Sequence, residues 1–148
     1  MIRAAPFPGT ASLLFNIMPE HLSKEDIAFE IAFYNGLIEK NPQFAEAFIA
    51  LGELYAQAGM FPEALIVDEK LVQLRPSDPV ALYNLACSYS LLGEIDKALR
   101  SVKKAVKCGY SDFKHMGRDA DLANLREDRR FQHYYARVKG KKNSESSE

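Results

Sequence analysis

The sequence predicts an all-α chain built from antiparallel helix pairs that recur along it, and three observations carry the prediction. The chain matches itself when shifted by 34 residues, its apolar residues recur at three- and four-residue steps, and a glycine stands just past each periodic stretch. Self-similarity at such a period marks small helical units that bury their faces only against neighbours. Composition allows this. A chain of 148 residues with 47% hydrophobic and 26% charged residues can form a buried core without disulfide or metal staples. Its two cysteines, Cys87 and Cys108, are too few for a disulfide scaffold and are expected reduced, which points to the cytoplasm. It contains no apolar run of the length, about 18 residues, that a membrane-spanning helix needs, so no membrane partner is expected.

The repeat is plainest where residues 45–78 fall on 79–112. Ten of 34 positions coincide: Ala47/Ala81, Leu51/Leu85, Tyr55/Tyr89, Gly59/Gly93, Ala64/Ala98, Leu65/Leu99, Lys70/Lys104, Val72/Val106, Ser77/Ser111 and Asp78/Asp112. Most are small or apolar residues, where packing tolerates least. In each copy a first helix is expected from Phe48, Leu51, Tyr55 and from Leu82, Leu85, Tyr89, which share a helical face. Gly59 and Gly93 then end it, since glycine takes positive φ without strain. A second helix follows through Ala64, Leu65, Leu71, Leu74 and through Ala98, Leu99, Val102, Ala105, Val106. Pro76 closes the first copy, and Pro79 opens the next helix where a missing N–H costs nothing. Small Gly52 and Ala86 in mid-helix let the paired helices approach closely.

Two copies alone would be marginal, so the flanks must contribute. Upstream, Ser23 with Asp26 approximates a capping box and opens a helix through Ile27, Phe33, Leu37 and Ile38. Leu37 and Pro42 precede Leu71 and Pro76 by one period, making residues 20–44 a degenerate repeat. Residues 1–19 read as a flexible leader, with Met18 as the natural start, or as a partial helix around Leu13–Ile17. Downstream, residues 113–138 are expected to form a terminal cap, with Phe131, Tyr134, Tyr135 and Val138 on one helical stripe. Residues 139–148 are polar, low in complexity and expected to be a disordered tail.

This pattern resembles the tetratricopeptide repeat. The family's series of large residue, Leu, Gly or Ala, Tyr, Gly, aromatic, Ala and Pro reads here as Phe48, Leu51, Gly52, Tyr55, Gly59, Phe61, Ala64, Pro76. It recurs as Leu82, Leu85, Ala86, Tyr89, Gly93, Ile95, Ala98, while Asp68 and Tyr110 depart from it. Residues 119–131 also resemble the segment that closes many such arrays. The resemblance implies a right-handed superhelical stack over 20–138 and a non-catalytic adaptor or scaffold that binds a peptide or partner protein in a concave groove. By the same resemblance the groove is lined by Glu46, Ile49, Glu53, Ala56 and Gln57, then Val80, Tyr83, Asn84, Cys87 and Ser90, then Lys114 and Arg118. Asn84, Lys114 and Arg118 stand at three positions of a carboxylate clamp known in the family. Ile49 and Glu53 replace its other two members and argue against a carboxylate-ended ligand, leaving a looser anion site at Lys114 and Arg118. Tyr83 lies one turn from its helix's packing face and is expected to carry little core.

Nothing in the pattern points to catalysis, a cofactor or a metal. His21, His115 and His133 are far apart, and Cys108 with His115 lacks a second pair to complete a tetrahedron. No phosphate loop, nucleophile elbow or His-Glu-x-x-His occurs. Charge is the remaining signal. Residues 20–70 carry ten acids against three bases, net −7, whereas residues 97–142 carry fourteen bases against five acids, net +9. Such polarity is compatible with solvated helix faces, with a self-assembling subunit that joins acidic front to basic rear, or with weak nucleic-acid contact. The aromatic residues among those bases sit at core spacing, which argues against stacking on nucleic-acid bases.

Overall fold

The computed structural model of the chain describes residues 22–145, with side chains up to residue 142. The leader or partial helix expected over 1–19 lies outside the described residues. Regular structure among the described residues is entirely helical, in two units, one ending at Pro76 and one beginning at Ser77.

In the first unit, helix α1 (Lys24–Lys40) starts from a complete capping box. The Ser23 hydroxyl accepts from the Asp26 N–H at 3.1 Å, and the Asp26 carboxylate accepts from the Ser23 N–H at 3.2 Å. None of its residues is buried. Helices α2 (Ala45–Gln57) and α3 (Phe61–Leu74) form the hairpin that makes this unit's core, from Ala47, Phe48, Leu51 and Leu54 with Ala64, Val67 and Leu71. Gly59, at φ +73°, turns the chain between them, and the Met60 N–H reaches back to the Tyr55 carbonyl at 2.8 Å. Gly52 is buried, as close helix approach requires. Asp68, where the family usually places an aromatic, is also buried. The chain leaves α1 and α3 alike: the Asn41 N–H donates to the Leu37 carbonyl, and 34 residues on the Arg75 N–H donates to that of Leu71.

The second unit repeats the hairpin. Helix α4 (Pro79–Leu91) is capped by Asp78, whose carboxylate accepts from the Val80 and Ala81 N–H groups at 2.9 and 3.2 Å. Gly93, at φ +77°, and the Glu94 N–H to Tyr89 carbonyl bond reproduce the first turn one period later. Helix α5 (Ile95–Lys107) buries Ala98, Leu99, Val102 and Ala105 and leaves its cationic side in water.

The rest of the unit is a cap of short pieces. Helix α6 (Phe113–Met116), a 3-10 turn (Ala120–Leu122) and helix α7 (Ala123–Arg126) bury Phe113, Met116, Leu122 and Leu125. Helix α8 (Arg129–Glu145) adds Phe131, stacked on Tyr135 at 5.8 Å, and Tyr135 donates to the Phe113 carbonyl at 2.8 Å. This helix corrects the expectation of a disordered tail from residue 139, because it continues to Glu145. The polar sequence hides what holds it: Lys139 lies over Tyr135, while Lys142 lies over Phe113 and donates to the Ser111 carbonyl at 2.7 Å.

Candidate functional site

The expected groove residues divide sharply between the two units. On α2, Glu46, Ile49, Glu53 and Gln57 recur at three- and four-residue steps, so they form one stripe along the helix. The first three are partly exposed and Gln57 is exposed. Glu46 pairs with Arg75 at 2.6 Å. Its own backbone N–H, with help from Arg75, holds its carboxyl below the ordinary range against the opposing effect of burial. The stripe is therefore an apolar centre at Ile49 with anionic groups on either side.

The equivalent stripe on α4 is different. Val80 keeps partial exposure, but Tyr83, Asn84 and Cys87 are buried at 0%, 1% and 0% exposure. Tyr83 was expected to carry little core and is instead the largest fully buried side chain of the described residues. Its ring stacks on Tyr110 at 4.2 Å and 3°, and its hydroxyl donates to the Asp119 carboxylate at 2.8 Å. Helical spacing could not show that Asp119, 36 positions later, packs against this side of α4.

Asp119 organises this interior. One carboxylate oxygen accepts from the Asp121 N–H at 3.0 Å and caps the 3-10 turn. The other receives the Tyr83 hydroxyl and lies 3.0 Å from His115 Nε2 and 3.8 Å from Cys87 Sγ. Burial alone would raise the carboxyl's pKa. The group is nonetheless held below the usual carboxylate range, and the Asp121 and Tyr83 hydrogen bonds contribute to that. Tyr83 is pushed the other way, first by burial and then by Cys87 and Asp119, so it stays protonated as a donor. Neither Asp119 nor His115 was singled out from sequence for this role. The available signal was the Asp-x-Asp start of the closing segment, which marks a cap rather than a hub.

The set Asp119, His115 and Cys87 brings together groups that do chemistry elsewhere, but here the carboxylate is the shared acceptor and the thiol is sealed from solvent. Among the described residues, no three His, Cys, Asp or Glu side chains are placed to hold a metal ion. Lys114 and Arg118 are exposed. The helix that carries Lys114 ends at Met116, and Asn84 is buried, so the three clamp-like residues do not share one exposed helical surface. Asn84 Oδ1 is buried without a hydrogen-bond partner.

The paired helices, the 34-residue register and the glycine turns agree with a family match. The model described as tetratricopeptide repeat matches residues 69–100. The chain carries a tetratricopeptide repeat. Among similar proteins, a chloroplastic protein of Arabidopsis thaliana is 34% identical over 106 residues, 69% of this chain and 32% of that protein. Superkiller protein 3 of Saccharomyces cerevisiae is 30% identical over 84 residues, 57% of this chain and 6% of that protein. The peroxisomal targeting signal receptor of Pichia angusta is 29% identical over 110 residues, 74% of this chain and 18% of the receptor. The chain thus spans less than a third of the length of each of these relatives. Its tetratricopeptide-repeat architecture is that of a protein–protein interaction module. No described helix is long and apolar enough to cross a membrane.

Proposed function

We propose that this chain is a non-catalytic adaptor that holds a peptide segment of a partner protein along the stripe of α2. The observation that carries the proposal is the unburied Glu46, Ile49, Glu53 and Gln57 row, on a helix whose opposite side is the unit's core. An apolar residue between carboxylates suits a peptide that presents apolar and basic side chains in turn. Similarity to a receptor for a targeting signal supports a role in recognising a segment of another chain. The α4 stripe has no part in this contact, because Tyr83, Asn84 and Cys87 are core.

Peptides selected from a random display library against the whole chain provide the test. Glu53→Lys and Ile49→Ser should each weaken the selected peptides about tenfold or more, as expected for residues central to a contact. Their helical signal and melting temperature should stay at the parent value. Tyr83→Ala should instead lower the melting temperature. Selected peptides that bind both α2 variants as tightly as the parent would remove α2 as the site.

A further inference from the structure

Helices α5 and α8 build a second surface, unrelated to the α2 stripe. On α5, Arg100, Lys103 and Lys107 are exposed and share one side at steps of three and four. On α8, Arg130, Tyr134, Arg137 and Lys141 share one side in the same manner. Two contacts join these sides into a single face. Arg130 bridges to Asp96 of α5 at 2.7 Å, and Lys103 Nζ lies 5.5 Å from the centre of the Tyr134 ring. Arg137 lies over the same ring, also at 5.5 Å. Asp96 and Asp128 (2.8 Å) offset Arg130, and Arg100, Lys103, Lys107, Arg137 and Lys141 leave the face positive, with one aromatic ring holding two of these cations in place.

That arrangement decides between anionic partners. A single-stranded nucleic acid would need an open ring on which to stack a base. Tyr134 is occupied by Lys103 and Arg137, while Tyr135 is stacked on Phe131. A protein surface that offers carboxylates beside apolar groups fits better, and this chain carries one. On α1, Glu25, Phe29 and Phe33 follow one another at four-residue steps, and Glu30 adjoins Phe29. Phe29 and Phe33 are 74% and 54% exposed, on a helix with no buried residue. Phe33 meets Tyr34 edge-on at 5.3 Å, yet both phenylalanines stay exposed beside acids, a face of the kind that docks on another protein.

We infer that copies of this chain associate head to tail, α1 of one copy docking through Glu25, Phe29, Glu30 and Phe33 on the α5–α8 face of the next. The two surfaces differ, so the contact is heterologous and can propagate rather than close as a symmetric dimer. Opposite charge brings the faces together, and salt weakens the encounter. Once covered, the phenylalanine rings supply attraction that salt does not screen.

Sedimentation velocity over a range of concentrations, at low and at high salt, tests the inference. The parent should grow in mass with concentration at low salt and shrink on adding salt. Glu25→Lys with Glu30→Lys, or Lys103→Glu with Arg137→Glu, should each raise the concentration needed for association about tenfold or more, since like charges then face each other. Phe29→Ser with Phe33→Ser should do the same and serves as a second test of the α1 face should charge reversal there disturb the helix. Mixing the two charge-reversed proteins should restore association, because each supplies the face that the other has lost. A parent of constant mass at every concentration, or a mixture that fails to recover, would overturn the inference. So would loss of heparin binding in Lys103→Glu with Arg137→Glu while association persists, since the basic face would then serve a polyanion.

Discussion

Asp119 and Tyr83 are 36 residues apart in sequence, yet their hydrogen bond joins α4 to the cap inside a closed interior. Removing only the phenol oxygen isolates that bond. Tyr83→Phe should destabilise the protein by about 1.5–3 kcal/mol, the range for a bond to a charged group, as read by urea unfolding. Unfolding energy equal to the parent's would show that the bond contributes nothing. Asp119 also predicts the response to acid. Its carboxyl is held below the ordinary value, so in acid the unfolded chain takes up the proton before the folded chain does. The resulting stability is complete above the ordinary Asp value of about 3.9 and is lost as pH falls through the lower folded value. Asp119→Asn should flatten this acid-side slope relative to the parent, whose other carboxylates stay unchanged. Parallel stability-against-pH curves for parent and variant would refute the assignment.

The two hairpins were legible in the sequence because each is a local object. Gly59 and Gly93, Tyr55 and Tyr89, Ala64 and Ala98 stand where a helix must turn, pack or admit its neighbour, and periodicity exposes all three needs. The cap was less legible. Its elements are short, so no periodic face is long enough to read, and its role rests on distant partners. Ser90 is one: its hydroxyl accepts from the Leu125 N–H, and its carbonyl accepts from the Asn124 side-chain amide. The burial of Tyr83 went unseen for the same reason, and so did the helical run from Lys139, whose cations rest on rings that only folding brings near. Gly117 gives this element a direct test. A methyl group there would overlap the Tyr135 hydroxyl, and that hydroxyl is bonded to the Phe113 carbonyl. Gly117→Ala should therefore displace Tyr135 and cost about 1–3 kcal/mol, a usual penalty for overpacking. An unchanged melting temperature would mean that α8 can move aside freely.

Across the whole molecule, burial and charge are unevenly spread. Helix α1 buries no residue, while α4 buries all but a few of its own. Local opening follows such differences, since a helix with few buried contacts can fray without disrupting the core. Amide hydrogen exchange should be faster across α1 than across α4, and equal protection in the two would contradict this. The bond between Tyr83 and Asp119 also orders events in time. When α4 and α5 have left the ribosome, the 36th residue beyond Tyr83 has not yet emerged. Tyr83, Asn84 and Cys87 then wait without the carboxylate that completes their surroundings. A translational pause after α4 has emerged but before Asp119 has emerged would lengthen that wait and keep an adhesive α4 surface open to chaperones or to neighbouring nascent chains.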